Sequence, residues 1–350
     1  MKKILHIVGA RPQFMKLLPL YIEMKKQKLD QEILHTGQHF DESMSKVFFD
    51  QLGIPSPNFY LNINNLSHGA MTGRMIEKIE QIIISNEYDL VVVYGDTNST
   101  LAGSISAKKL DIKLVHIESG VRNHDSSMPE EINRVLSDRI SDILFCNSQK
   151  SFDNLISEGY DKLESTIVIS GDLMLDCLNM FEPKFINPNV EDKYILVTCH
   201  RASNTKKDVL EKIIHALNNL AENYKIIFPV HPRTKSVIDN MGITTKFEIQ
   251  KPRDYLSFMG LVKYSDYIIT DSGGLIREAY WLKKKSLLIL ENPLWPELIE
   301  AGACISCCPE TNLIIDSFKD LEGMNMQFND NILGEGNAAK IITQHILSNE

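Results

Sequence analysis

Asp96, Glu118 and Glu130 are the residues from which chemistry can first be argued. Asp96 closes the run "VVVYGD", Glu118 follows "KLVHI" directly, and Glu130 stands behind Pro129 where a helix begins, with Asn133 and Arg134 one turn on. Each has a plain structural reading. Asp96 can be the N-cap of a helix opening at "TNST" (97–100). Glu130 can be a first-turn acid favoured by the helix dipole. Glu118 is harder to explain in that way, because an unpaired carboxylate is costly to bury at the end of an apolar strand. Three acids brought together at strand ends could remove and return a proton on an unactivated carbon, work that needs paired carboxylates of tuned acidity.

Cationic and small residues follow other apolar runs. "HRASNT" (200–205) and "VHPRT" (230–234) offer His200, Arg201, His231 and Arg233, a cationic rim. In "TDSGGLIREA" (270–279), Ser272, Gly273 and Gly274 present small residues and backbone N–H groups at a helix start, an anion cradle suited to a diphosphate. Glu278, one turn further, is placed to take ribose hydroxyls. Near the N-terminus, "GARPQFMK" (9–16) puts Pro12 in a first helical turn, with Arg11 and Lys16 near that start. "HTGQHFD" (35–41) adds a polar loop with Gln38 and His39. No GK[ST] makes a P-loop. The acids lack the i, i+4 spacing of metal ligands, so no metal is expected. Cys304-x-x-Cys307 has no matching second pair and reads as buried reduced thiols. Acids in the first half and phosphate binders in the second suggest a nucleotide-sugar enzyme.

The elements that must position these groups are strands buried on both faces. "ILHIV" (4–8), "ILHT" (33–36), "LVVVY" (90–94), "KLVHI" (113–117), "ILFCN" (143–147) and "TIVIS" (166–170) form one series. "YILVTC" (194–199), "YKIIFPV" (224–230), "YIIT" (267–270) and "LLIL" (287–290) form another. Helical segments such as 71–86, 97–109, 130–141, 207–222 and 273–284 alternate with them. Continuous rather than alternating hydrophobicity points to parallel α/β sheets. The reading is two doubly wound Rossmann-like domains facing a cleft: 1–171, carrying the carboxylates, and 172–335, with 171–193 as the linker. A chain of 350 residues suits two such cores. A net charge of −9 argues against nucleic acid as a partner. No run reaches the roughly 20 apolar residues of a membrane span, and "MKKILHIV" reads as a first strand, so a cytoplasmic protein is expected.

Taken in order, "GARPQFMK", "HTGQHFDESMSKVFF", "SHGAMTGRM", "YGDTNSTLAG", "HIESGVR", "MPEEINR", "SDILFCNS", "HRASNT", "HPRT", "DSGG" and "GEGNAAKII" resemble the non-hydrolysing UDP-N-acetylglucosamine 2-epimerases and their relatives acting on modified UDP sugars, over nearly the whole chain. The resemblance implies a glycosyltransferase type B-like arrangement, with a last helix (336–350) packed back on the first domain. It implies a homodimer, no bound cofactor, and a UDP-sugar substrate serving surface polysaccharide synthesis. It implies inversion at C2 by elimination of UDP to a 2-acetamidoglucal and re-addition. Carried over, Asp96, Glu118 and Glu130 are the acid–base carboxylates and His200 stands near the leaving diphosphate. Arg11, Lys16, Ser272, Gly273, Gly274 and Glu278 match UDP-binding positions.

The chain departs from the family pattern at Ser203, where a Glu is usual, at Ile276, where a Gln is usual, and at Leu290, where an Arg is usual. All three remove polar groups from the nucleotide side, and they bear on the substrate and on activation by UDP-N-acetylglucosamine. UDP-N-acetylglucosamine is the first substrate expected. UDP-2,3-diacetamido-2,3-dideoxyglucuronate is an alternative, suggested by "GARPQF" and "HTGQHFDESMSKVFFDQLGIP". A glycosyltransferase of the same architecture and a non-catalytic nucleotide-sugar binder are the other classes.

Overall fold

The computed structural model describes residues 2–38, 52–230, 232–291, 293–325, 328 and 331–348, excepting the side chains of 232 and 233. The chain forms two units, Met1–Asn179 with Asn331–Glu350, and Met180–Asp330.

In the first unit the apolar runs become β1 (Lys3–Val8), β2 (Asp30–His35), β4 (Leu90–Tyr94), β5 (Lys113–Ser119), β6 (Ile143–Cys146) and β7 (Thr166–Ile169), joined by β3 (Phe59–Tyr60). Among the described residues they form one sheet of order β3-β2-β1-β4-β5-β6-β7. Every pair is parallel. The intervening helices are α1 (Arg11–Lys26), α2 (His68–Asn86), α3 (Asn98–Lys109), α4 (Pro129–Ile140), α5 (Gln149–Ser157) and α6 (Leu173–Phe181). Helix α2 buries Met71, Met75, Ile79 and Ile83, one i, i+4 row, against Leu5, Ile7, Val91 and Val93 of the sheet. Helix α4 reverses the usual pattern. It buries Glu131, Asn133, Arg134, Ser137 and Asp138 and exposes Ile132, Val135 and Leu136, at 47%, 37% and 47%.

The second unit comprises β8 (Tyr194–Thr198), α7 (Lys207–Leu220), β9 (Lys225–Pro229), α8 (Pro232–Met241), β10 (Ile249–Gln250), α9 (Tyr255–Tyr264), β11 (Tyr267–Thr270), α10 (Gly273–Trp281), β12 (Lys285–Ile289), α11 (Pro296–Glu300), β13 (Ile305–Cys307) and α12 (Thr311–Gly323). Its parallel sheet has the order β10-β9-β8-β11-β12-β13, the dinucleotide-fold pattern. In both sheets the strand order reverses at one point, between β1 and β4 and between β8 and β11.

Three strands, β3, β10 and β13, were not expected. Each is only two or three residues long and lies at or near a sheet edge, so none carries an apolar run. The stretch 171–193 is not simply a linker, because it holds α6, and the two units divide inside that helix, at Asn179/Met180.

The last helix, α13 (Ala338–Ser348), packs on α1 in the first unit. Buried Asp176 of α6 accepts from the first-turn amides of Ala338 (3.1 Å) and Ala339 (3.0 Å), the end of a helix where a negative group is favoured. Burial nevertheless dominates and pushes the Asp176 carboxyl up to about 6. The folded state therefore holds this proton more tightly than the unfolded chain. Its contribution to stability is fully present below the unfolded value near 3.8 and is lost as pH rises through about 6. Between pH 5 and pH 7.5 the wild type should lose about 1 kcal/mol of unfolding free energy relative to Asp176→Asn. Denaturant unfolding of both proteins at the two pH values checks this, and a difference that does not change with pH would refute it.

Candidate active site

The chemistry-bearing residues of the first unit lie where β1, β4 and β5 end, at the reversal point of the sheet. Ligands bind at such points in doubly wound folds because the strands' carboxyl ends and the helix starts converge there. Gln13 ties the loops together. Its Oε1 accepts from the amides of Gly9 (2.7 Å) and Ala10 (3.0 Å), and its Nε2 donates to the Tyr94 carbonyl (2.7 Å) and the Thr97 hydroxyl (2.9 Å). A Cβ at Gly9 would lie 2.0 Å from Thr36 Oγ1 and 2.2 Å from Ser99 Oγ, so only glycine lets β1 turn this close to α3. Gln38 joins the same cluster, its Oε1 accepting from the Ser99 amide (3.0 Å) and hydroxyl (2.8 Å).

Asp96 is not the N-cap of α3. Thr97 caps that helix, accepting from the Thr100 amide. The Asp96 carboxylate instead pairs with Arg134, which also donates to Glu131 at 2.6 Å, while Asn133 donates to the Asp96 carbonyl at 3.0 Å. Glu118 lies inside β5 rather than after it. The register with β6 shifts between Ile117 and Ser119, and Glu118 takes φ +69°, an uncommon left-handed conformation for this residue type. The bulge re-aims its side chain at Lys16 of α1, 2.7 Å away, the two side chains being 12% and 5% exposed. Arg11 opens α1 and is exposed.

Glu130 stands apart. It is exposed in the first turn of α4 and makes no hydrogen bond or ion pair among the described residues. Its neighbour Glu131 is the buried one, holding Arg134 and the amides of Asn123 and His124. Asp96, Glu118, Lys16 and Arg134 are thus held by specific partners, whereas Glu130 faces solvent.

In the second unit the organiser is Asp271, which follows β11 and is fully buried. Its Oδ2 accepts from the amides of His200 and Arg201, both at 2.9 Å. His200 Nδ1 lies 3.1 Å from Oδ1 but off hydrogen-bond alignment. Arg201 Nε donates to the Asp271 carbonyl at 2.7 Å. Burial works to raise the Asp271 carboxyl, yet His200 and these amides outweigh it and hold the group below its ordinary value. Ser272 caps α10 by accepting from the Leu275 amide at 3.2 Å, which leaves the Gly273 and Gly274 amides without intrahelical partners. The Trp295 indole backs Gly273, and the Arg277 guanidinium stacks 4.3 Å over its ring. Glu278 is buried one turn into α10. Ser203 is exposed and its hydroxyl donates to Asn204 Oδ1 at 3.3 Å, Ile276 is fully buried, and Leu290 is half-buried. His39 and the side chains of His231 and Arg233 lie outside the described residues.

Gln13 and Asp271 were missed from sequence. Both carried a usable signal: Gln13 is the third residue of the helix that opens at Arg11 after Gly9-Ala10, and Asp271 follows an apolar run in sequence just as Glu118 does.

Comparison with known proteins decides the family. The family described as UDP-N-acetylglucosamine 2-epimerase matches residues 22–347. The chain belongs to that family. A Pseudomonas aeruginosa protein named UDP-2,3-diacetamido-2,3-dideoxy-D-glucuronate 2-epimerase is 40% identical over 98% of this chain and 99% of its own length. A Methanococcus maripaludis UDP-N-acetylglucosamine 2-epimerase is 38% identical over 98% of this chain and 97% of its own. The solved Methanocaldococcus jannaschii UDP-GlcNAc 2-epimerase, in complex with UDP-GlcNAc and UDP, superposes with a TM-score of 0.89 at 36% identity, covering 99% of this chain and all of that one. Relatives of this kind are epimerases, so the chain is a member of an isomerase family with the type B glycosyltransferase fold class.

Lys16 and Glu118 form a buried pair, and removing one partner leaves the other uncompensated. Lys16→Met and Glu118→Gln should each lower stability, and the double substitution should cost less than their sum by roughly 1–3 kcal/mol. Unfolding of the four proteins in a double-mutant cycle measures this, and strictly additive costs would show that the pair contributes nothing.

Proposed function

We propose that this chain inverts C2 of a UDP-2-acetamido sugar without hydrolysing it, with UDP-N-acetylglucosamine and UDP-N-acetylmannosamine as the two epimers. The observation that carries the reading is the pairing of Asp96 with Arg134 and of Glu118 with Lys16 on strand ends at the reversal of the first sheet. One carboxylate takes the C2 proton. The bond from C1 to the diphosphate oxygen breaks, its electron pair leaves on UDP, and a C1–C2 double bond forms. Re-addition of UDP with a proton delivered to the opposite face gives the epimer. Asp96, Glu118 and Glu130 share the proton traffic, with Glu130 exposed to meet ligand rather than protein.

The nucleotide falls to the second unit in this reading. Gly273 and Gly274 offer amides at the positive end of α10, where a diphosphate is favoured. His200, with Nδ1 turned to Asp271, has Nε2 unengaged among the described residues and able to donate to the departing oxygen. Arg11, Lys16, Gln38, Arg134, Arg201, Ser272 and Glu278 complete the binding set, with His39, His231 and Arg233 carried from sequence alone.

The diacetamido-glucuronate sugar is the second reading, favoured by the 40% identity with the Pseudomonas protein of that name. We also assign a homodimer, supported by the outward apolar row Ile132, Val135 and Leu136 of α4, and a role in surface polysaccharide precursor synthesis in the cytoplasm. Among the described residues no helix is long and apolar enough to cross a membrane.

Incubation with each UDP sugar in D2O tests the activity. Deuterium should enter C2 of one of them, and Glu118→Gln should lower kcat by roughly 10²- to 10⁴-fold. No C2 deuterium from either sugar would sink the epimerase reading, and tight UDP binding without exchange would point to a non-catalytic binder.

A further inference from the structure

The imidazole of His116 is completely buried in β5, and both its nitrogens face acceptors. Nε2 lies 2.6 Å from the Gly95 carbonyl, the residue before Asp96. Nδ1 lies 2.7 Å from Asp138 Oδ1. A carbonyl oxygen only accepts, so Nε2 carries the proton of that bond and donates to Gly95, while Nδ1 pairs with the Asp138 carboxyl. Asp138 is ionised here. Burial works to raise its carboxyl, but His116 and Arg122 outweigh burial and hold it below the ordinary range. Its second oxygen accepts from Arg122 Nη1 at 2.7 Å and from the Gly120 amide at 3.1 Å. Arg122 is in turn clamped by Glu158, the residue that follows α5, through bonds of 2.8 and 2.9 Å.

These contacts reach both proton-handling turns. Gly95 leads into Asp96, and Gly120 stands two residues beyond the bulged Glu118. Gly120 takes φ +76°, and an added Cβ there would lie 2.1 Å from the Ser151 carbonyl oxygen, so this turn has no slack. Asp138 also lies one turn beyond Arg134, which grips the Asp96 carboxylate directly.

We propose that Asp138 and His116 are positioning residues that fix the Asp96-bearing turn and the Glu118-bearing turn relative to each other, through the Gly95 carbonyl and the Gly120 amide. This assignment rests on the epimerase reading for its effect on catalysis. Neither residue touches substrate. Loss of the link displaces a carboxylate slightly, and a displacement of about 1 Å can cost on the order of 100-fold in rate.

A pair of substitutions separates this role from mere filling of the core. Gln at 116 places an amide N–H near the position of Nε2 and retains a donor to Gly95, whereas Asn places one near Nδ1 and loses it. His116→Asn should lower kcat for C2 exchange by about 100-fold, with KM and calorimetric UDP affinity within about threefold of wild type. His116→Gln should recover roughly a tenth of wild-type kcat or more, and Asp138→Asn should behave like His116→Asn. Equal kcat in the Gln and Asn variants, or values near wild type in folded Asp138→Asn, would overturn the proposal. If the variants do not fold, 15N-histidine NMR of the wild type gives an answer without activity. One buried, solvent-protected ring should carry a proton on Nε2 that donates to a backbone carbonyl, and its absence would overturn the proposal. Should the wild type exchange no C2 proton while this ring is present, the epimerase reading fails and the structural link stands.

Discussion

Charge buried beneath the strand ends has to be paired, and that requirement shapes this face of the first unit. Helix α4 turns Glu131, Arg134 and Asp138 inward, where an isolated charge would be untenable. Each finds an opposite charge or a backbone amide: Arg134 between Asp96 and Glu131, Asp138 between His116 and Arg122. Breaking one member exposes the others to an uncompensated burial cost, so the set favours a single arrangement over several near-equal ones. Such a set places the carboxylates that reach solvent without relying on flexible surface side chains. Apolar residues on the outer face of the same helix follow from this inversion, since its inner face is already occupied by polar partners.

The continuous apolar runs were legible because both faces of a parallel strand are covered, so the runs need no alternation. The strands at 59–60, 249–250 and 305–307 were not, because a two- or three-residue edge strand is defined by its partner and not by its own composition. Helix α6 was read as part of a linker because Pro183, Pro188 and several Asn and Asp dominate the window around it. The helix itself is apolar and closes before the first of those prolines.

Site residues divide in the same way. Positions directly after apolar strands were readable, since a polar side chain there has a clear place to act. The choice between local roles was not. Asp96 and Thr97 are adjacent, both can cap a helix, and only the reach of Arg134 from α4 shows which of them does so. Glu130 and Glu131 are adjacent too, and helical rotation alone sends one to solvent and the other into the charge network. His116 and Asp138 were invisible as organisers because their partners, among them the Gly95 carbonyl and the Gly120 amide, are distant in sequence.

The stretch "CHRASNT" shows the same device in the second unit. Backbone amides at the end of β8 have no strand partner beyond the sheet, and Asp271 satisfies two of them from the adjacent strand end. Asn204, from the same stretch, bridges onward to the Ile289 carbonyl at 3.0 Å, at the end of β12. Position 203 takes no part in that link, since Ser203 is exposed and reaches only its neighbour Asn204. The loop's shape therefore does not require a carboxylate at 203. Ile276 differs: it is sealed in the core, so a polar residue at that position would have to find a partner or repack the helix around it. Of the departures from the family pattern, the one at 203 is thus free of the fold's packing, while the one at 276 is bound to the packing of α10.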